Sequence, residues 1–60
     1  MTRTQNDSRF ADSMDNGNGT LVIFGFVYSD GSTQVAHSKP SRMYKTTKGA
    51  ARAATKWIAA

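Results

Sequence analysis

The residues of this sequence best suited to binding chemistry are the Lys and Arg side chains of its second half. Residues 31–60 carry six basic residues and no Asp or Glu, a net charge of +6, and residues 1–30 carry two Arg and four Asp, a net charge of −2. Cations without acidic neighbours suit phosphate groups or an acidic protein surface, although the same charge would also keep a small protein soluble. The candidate nucleic-acid-binding residues are Lys39, Arg42, Lys45, Lys48, Arg52 and Lys56.

A second candidate surface is the aromatic row of the apolar segment 21–28. Side chains alternate between the two faces of a strand, so Phe24, Phe26 and Tyr28 share one face and the aliphatic residues share the other with Gly25. We expect the aliphatic face to receive the helix, which leaves the three aromatic residues open as a partner or dimer face. In the alternative arrangement the aromatic residues form the core and the aliphatic residues lie outside.

The composition argues against most catalytic and cofactor chemistry. The chain has no Cys, no Glu and a single His, His37, so it offers neither a thiol nucleophile nor the four ligands of a structural zinc site. It lacks the Gly-rich phosphate loops, and no run approaches the ~18 apolar residues of a membrane span. We therefore expect a non-enzymatic module without metal, cofactor, membrane contact or small-molecule substrate, and a start without an apolar stretch favours the cytoplasm.

The elements that must position these residues follow from the pattern along the chain. Residues 1–18 are polar and predict a flexible tail. From Thr20 a β-branched and aromatic run predicts a strand, Asp30-Gly31 predicts a hairpin turn, and residues 33–38 predict the returning strand. A short third strand is expected at 42–45.

The last segment predicts an amphipathic helix. Thr46 is its expected N-cap, the alanines with Trp57 and Ile58 form its apolar side, and the basic residues lie opposite. The predicted fold class is α+β, a three-stranded antiparallel sheet with one C-terminal helix packed on one face. Residues 19–60 would form this β-β-β-α domain behind the tail.

The short length of the chain predicts self-association. A domain of 60 residues buries only about 60% of the surface of its unfolded chain, and no disulfide is available to support the core. Pairing with a second copy is the remaining way to enlarge that core. We therefore expect a homodimer.

Three short motifs follow one another between residues 29 and 50 and carry a resemblance to known small domains. They are Ser29-Asp30-Gly31, Val35-Ala36-His37-Ser38 and Tyr44-Lys45-Thr46-Thr47-Lys48-Gly49-Ala50. Over about residues 20–60 their order resembles the YegP-like small β-β-β-α domains and is similar to the N-terminal arm-binding domain of tyrosine integrases. The first resemblance implies units that pair as tandem repeats or homodimers. The second implies a sheet that lies in the DNA major groove.

Two functions follow from these patterns. The first is nucleic-acid binding, with DNA as the expected ligand, through a basic surface of sheet and helix. The alternative is a protein-interaction module, for example a small phage-type protein that modulates or inhibits a host protein and docks through the aromatic face. The two differ in salt dependence, because phosphate contacts weaken steeply as salt rises.

Overall fold

The structure is a computed structural model that describes residues 2–60, and it consists of one antiparallel sheet followed by one helix. The elements are β1 (Thr2–Gln5), β2 (Arg9–Asp15), β3 (Thr20–Val27), β4 (Thr33–Val35), β5 (Arg42–Tyr44) and α1 (Thr47–Ala59). The strands follow the order β1-β2-β3, and β4 and β5 pair with opposite halves of the second edge of β3. The predicted α+β class with a C-terminal helix is confirmed, with five strands where three were expected. Within residues 2–60, no helix is long and apolar enough to cross a membrane.

The expected flexible tail is wrong for residues 2–15, which form β1 and β2, and residue 1 lies outside the described residues. β2 pairs with β3 along its whole length, from Arg9 opposite Phe26 to Asp15 opposite Thr20. Gly17 adopts a φ of 88° in the turn between them, a conformation that glycine allows without strain. Because the paired strand β3 supplies most of the apolar surface, β2 needs few apolar residues of its own.

Helix α1 packs on the sheet through alanine. Its N-cap is Thr46 as predicted, and the Thr46 side-chain oxygen accepts a hydrogen bond of 3.0 Å from the backbone N–H of Gly49. Ala50 and Ala54 are buried against the sheet in a cluster with Ala11, Val22 and Phe24. The small alanine side chains bring the helix backbone close to the strands, so the bulk of this core comes from the sheet.

The helix covers the aromatic face of β3, so the expectation that it covers the aliphatic face is wrong. Phe24 is fully buried beneath α1, and Phe26 is half-buried with its ring centroid 5.5 Å from that of Trp57. Tyr28 lies just beyond the strand and keeps 46% of its surface exposed. The physical reason is volume: the buried alanines of α1 are small, and the rings of Phe24 and Phe26 supply the bulk that fills the layer between helix and sheet.

The opposite face of the sheet has no helix over it. There Phe10 is buried because its ring lies on Gly25, where a side chain would overlap that ring. The guanidinium of Arg3 in turn covers the Phe10 ring at 4.5 Å from its centroid. Beside this local cluster, Val35 and Met43 keep 52% and 43% of their surface exposed.

The Gly25→Ala variant should be strongly destabilised. The added methyl group would overlap the Phe10 ring and lie 2.6 Å from the backbone oxygen of Gln34, and the backbone cannot move without breaking strand pairing. Overpacking of this kind costs about 3 kcal/mol. Urea unfolding followed by circular dichroism measures the loss. Thr33→Ala, at an exposed position of β4, is the control and should cost less than about 0.5 kcal/mol; equal losses would contradict the close packing at Gly25.

The Arg3–Asp12 ion pair should make stability depend on pH in the acid range. Arg3 donates two hydrogen bonds of 2.7 and 2.8 Å to the Asp12 carboxylate, and they lower the pKa of Asp12 below its ordinary value. The folded state therefore gains stability above the unfolded pKa of Asp12 and loses it as pH falls through the lowered folded pKa. NMR titration should show the Asp12 pKa rise in Arg3→Gln. An unchanged Asp12 pKa in that variant would mean that β1 is not held in this register.

Candidate functional site

A groove of about 390 Å³ opens between the C-terminal half of α1 and the segment that leads into β5. We call it the basic groove, because four of its lining residues are cations and none is an acid. Two aromatic side chains, Tyr44 and Trp57, also line the groove. The lining residues are Arg9, Lys39, Arg42, Tyr44, Ala53, Lys56, Trp57 and Ala60.

Trp57 is the fixed centre of the basic groove. Its indole N–H donates to the backbone oxygens of both Phe10 and Gly25, at 3.1 and 3.2 Å. Its ring meets Phe24 edge-on at a centroid distance of 5.8 Å and Phe26 at 5.5 Å. These contacts tie the last turns of α1 to β2 and β3, so this wall of the groove is fixed to both strands.

Arg9 covers the indole from the β2 side. Its guanidinium carbon lies 4.2 Å from the centroid of the Trp57 ring and 5.6 Å from that of Phe26. It also donates a hydrogen bond of 3.4 Å to the backbone oxygen of Trp57, near the negative end of the helix dipole. Among the described residues this is the one hydrogen bond that the Arg9 guanidinium donates.

Lys39 and Arg42 form the opposite side of the groove. Arg42 pairs with Val22 in the sheet, a buried position, so its side chain lies on the helix side. Its guanidinium carbon is 5.5 Å from the centroid of Tyr44, and the Lys39 ammonium is 5.1 Å from that of Phe24. Within residues 2–60, neither cation forms an ion pair with a carboxylate. Both charges are therefore available to a bound anion.

The structure brings together three of the six predicted basic residues, and adds a fourth that the sequence did not indicate. Lys39, Arg42 and Lys56 line the groove, but Lys45, Lys48 and Arg52 are exposed elsewhere. Lys48 and Arg52 point away because the alanine stripe of α1 faces the sheet. Arg9 was missed because it fell in the expected tail. Its signal was the turn at residues 15–19, since a hairpin there places Arg9 opposite an aromatic residue.

The predicted aromatic surface does not form. Phe24 and Phe26 pack beneath the basic groove, and the Tyr28 hydroxyl donates a 2.9 Å hydrogen bond to the side-chain oxygen of Gln34 near the other end of the sheet. The rings of Phe24 and Phe26 therefore support the groove from below and do not offer a face to a partner.

The side of α1 away from the basic groove is lined by neutral polar and acidic side chains. A smaller cavity of about 210 Å³ lies there, lined mainly by Thr and Ser side chains and by the carboxylate of Asp15. The Thr20 hydroxyl donates a 2.6 Å hydrogen bond to Asp15, which occupies one of its oxygens. Among the described residues, no cation lines this cavity. Of the two cavities, the basic groove is therefore the one whose lining suits an anion.

The combination of residues in the basic groove defines what it can bind. Guanidinium and ammonium groups on both walls suit the oxygens of phosphate groups. The half-buried rings of Tyr44 and Trp57 provide flat apolar surface between those charges. Charged and aromatic groups in one narrow groove are the combination that single-stranded nucleic acids require.

Comparisons of the chain with models of protein families, with curated proteins and with solved structures give no match. The resemblances to the YegP-like domains and to the integrase arm-binding domain stay predictions. The basic groove is therefore the feature of the molecule from which a function can be inferred.

The Trp57→Phe variant should lose stability although it keeps an aromatic ring. The change removes the indole N–H and leaves the backbone oxygens of Phe10 and Gly25 without that donor. Loss of partners for buried polar groups costs about 1–3 kcal/mol. Urea unfolding followed by circular dichroism measures it. Tyr28→Phe, which removes one exposed hydrogen bond, is the control and should be nearly neutral; equal costs would contradict a central role for the indole N–H.

Proposed function

We propose that this chain is a small non-enzymatic module that binds single-stranded nucleic acid in the basic groove. The observation that carries the proposal is the convergence of Arg9, Lys39, Arg42 and Lys56 around Trp57 without an acidic residue. A chain whose cations served only solubility would have no reason to gather four of them at one concave site. The cytoplasmic location expected from the sequence belongs to the same proposal.

Phosphate groups are the first part of the ligand in this proposal. Arg42 and Lys39 line one wall of the groove and Arg9 and Lys56 the other, so a chain of phosphates can run between them. The four Asp residues of the protein are all outside the groove, so no carboxylate side chain competes there with a bound phosphate. Such a site attracts a polyanion before contact and holds it by displacement of counterions.

Bases are the second part of the ligand. Tyr44 is half-buried at the groove, with Arg42 beside its ring, and this pair offers a plane on which a base can stack. Stacking needs a base that has left the duplex. A single strand is therefore the proposed ligand, with a base at Tyr44 and phosphates at the groove cations.

The position of the cations also bears on how DNA would approach. The integrase resemblance implies a sheet that contacts the major groove. Here the basic residues lie on the helix side, and the uncovered sheet face carries a single ion pair, Arg3–Asp12, amid apolar side chains. We therefore place the nucleic acid against α1 and β5 and not on the open sheet.

The alternative function, protein docking through the aromatic row, needs an exposed aromatic surface, and little of that row is exposed. Phe24 is fully buried and Phe26 packs on Trp57, so only Tyr28 of that row is exposed. One exposed Tyr with its hydroxyl bonded to Gln34 does not make a docking face.

Charge reversal in the groove should weaken nucleic-acid binding far more than the same reversal outside it. Arg42→Glu and Lys56→Glu remove groove cations, and Lys48→Glu and Arg52→Glu change the net charge equally at exposed helix positions. We expect losses of affinity of about tenfold or more for the first pair and less than about threefold for the second. Fluorescence anisotropy of a labelled single-stranded oligonucleotide at 50 mM salt measures this.

The same assay contains its own checks. With three or four phosphates neutralised, the affinity of the natural chain should fall roughly 20- to 50-fold between 50 and 200 mM salt. The single Trp lines the groove, so its fluorescence should change on binding. Equal losses for all four variants would show that net charge and not the groove binds the ligand. No binding at micromolar protein and 50 mM salt would refute the proposal.

A further inference from the structure

We propose that the uncovered face of the sheet, which we call the open face, is the surface through which two copies of this chain pair. The open face lies opposite α1 and is distinct from the basic groove. Its apolar residues come from four strands: they are Met14 of β2, Leu21, Ile23 and Val27 of β3, Val35 of β4 and Met43 of β5.

Most side chains of the open face are apolar, and its one ion pair, Arg3–Asp12, lies beside Ile23. Met14 lies opposite Leu21 and Leu21 lies opposite Met43, so these side chains form one row across β2, β3 and β5. Val35 and Met43 are 52% and 43% exposed, and they are two of the three large hydrophobic residues exposed within residues 2–60. Apolar side chains gathered on one side in this way mark an interaction surface.

The size of the open face fits a weak dimer. β3 has eight residues and spans ~26 Å at ~3.3 Å per residue. Because β4 and β5 lie in line along one edge of β3, the apolar residues of the open face occupy three strand positions, about 14 Å at ~4.8 Å spacing. The projected area is therefore roughly 370 Å², below the ~800 Å² that each partner buries in a standard interface and in the range of small, weak interfaces.

The total solvent-accessible surface of the folded chain also favours pairing. The folded chain exposes 4218 Å². Folded monomers of 6.5 kDa expose about 3,800 Å² by the general scaling with mass. Among residues 2–60, the largest side chains that are completely buried are Phe24 and Val22. A second copy on the open face would add the apolar side chains of that face to this small core.

The distribution of charge selects a second copy as the occupant. The chain carries a net charge of +4, and two copies that met through their helix sides would bring the four groove cations of each into proximity. On the open face the ion pair of Arg3 with Asp12 is neutral as a unit. Two equally charged chains can therefore approach each other through their open faces. The basic grooves of both copies then face outward.

The symmetry of such a pair fixes which residues meet. In a two-fold dimer the same patch is used by both copies, so residues near the axis contact their own counterparts. β3 is the central strand, and Ile23 lies at the middle of its open-face side chains. The two sheets would pack face to face at about 10 Å, with Ile23 close to the axis.

The first test measures mass against concentration. Sedimentation equilibrium of the natural chain should show a mass that rises toward twice 6.5 kDa, with a dissociation constant on the order of 10 µM. Met43→Lys should weaken the dimer at least tenfold. Tyr28→Lys is the matched control, because Tyr28 is 46% exposed and lies outside the open face, and it should pair like the natural chain. Circular dichroism checks the fold of each variant, and Val35→Lys replaces Met43→Lys if the latter unfolds.

A second test uses the absence of Cys from the chain. Ile23→Cys places one thiol near the proposed axis, and mild oxidation with diamide should join two copies through a disulfide bond. Tyr28→Cys should cross-link far less. The proposal is overturned by a natural chain that stays monomeric at high micromolar concentration, by folded Lys variants that pair unchanged, or by equal cross-linking of the two Cys variants.

Discussion

The fold depends above all on the way the Trp57 indole joins the helix to the sheet. Its N–H donates to backbone oxygens of β2 and β3 at once, and its ring packs against Phe24 and Phe26. The remaining contact of α1 with the sheet is made mostly by alanines, which bury little area each. Without Trp57 the helix would retain its N-cap but lose the side chain that joins its C-terminal end to both β2 and β3.

The same interaction brings the N-terminal strands into the functional site. Arg9 stacks on Trp57, and the Asn6 side chain donates a 2.9 Å hydrogen bond to the backbone oxygen of Ile58 while its own oxygen accepts from the N–H groups of Ser8 and Arg9. The β1–β2 turn is therefore bound to the end of α1. A cation that is distant in sequence from the basic half thereby joins Lys39, Arg42 and Lys56 at one groove.

The sequence predicted the elements that have local sequence signals and missed those that form only by pairing with another strand. The strand from Thr20, the Asp30-Gly31 turn and the helix with its Thr46 N-cap follow from apolar runs, turn residues and capping chemistry. β2 did not, because its burial comes from Phe10 lying on Gly25 of another strand. The face of the helix was also missed, since alternation defines two faces but does not say which one a helix will cover. Because the covered face could not be predicted, the sequence also did not show which three of the six basic residues would line the groove.

Both proposals depend on the difference between the two faces of the sheet, one covered by α1 and one uncovered. A single helix can cover one face of a sheet, and in this chain it covers the aromatic face and carries Lys56 and Trp57 to the groove. The cost is a second face that stays uncovered, and the sequence makes that face apolar, with its one Arg neutralised by Asp12. Charge on one side repels a second copy while apolar surface on the other attracts it. An oriented pair with both grooves outward is therefore the arrangement in which neither surface opposes the other.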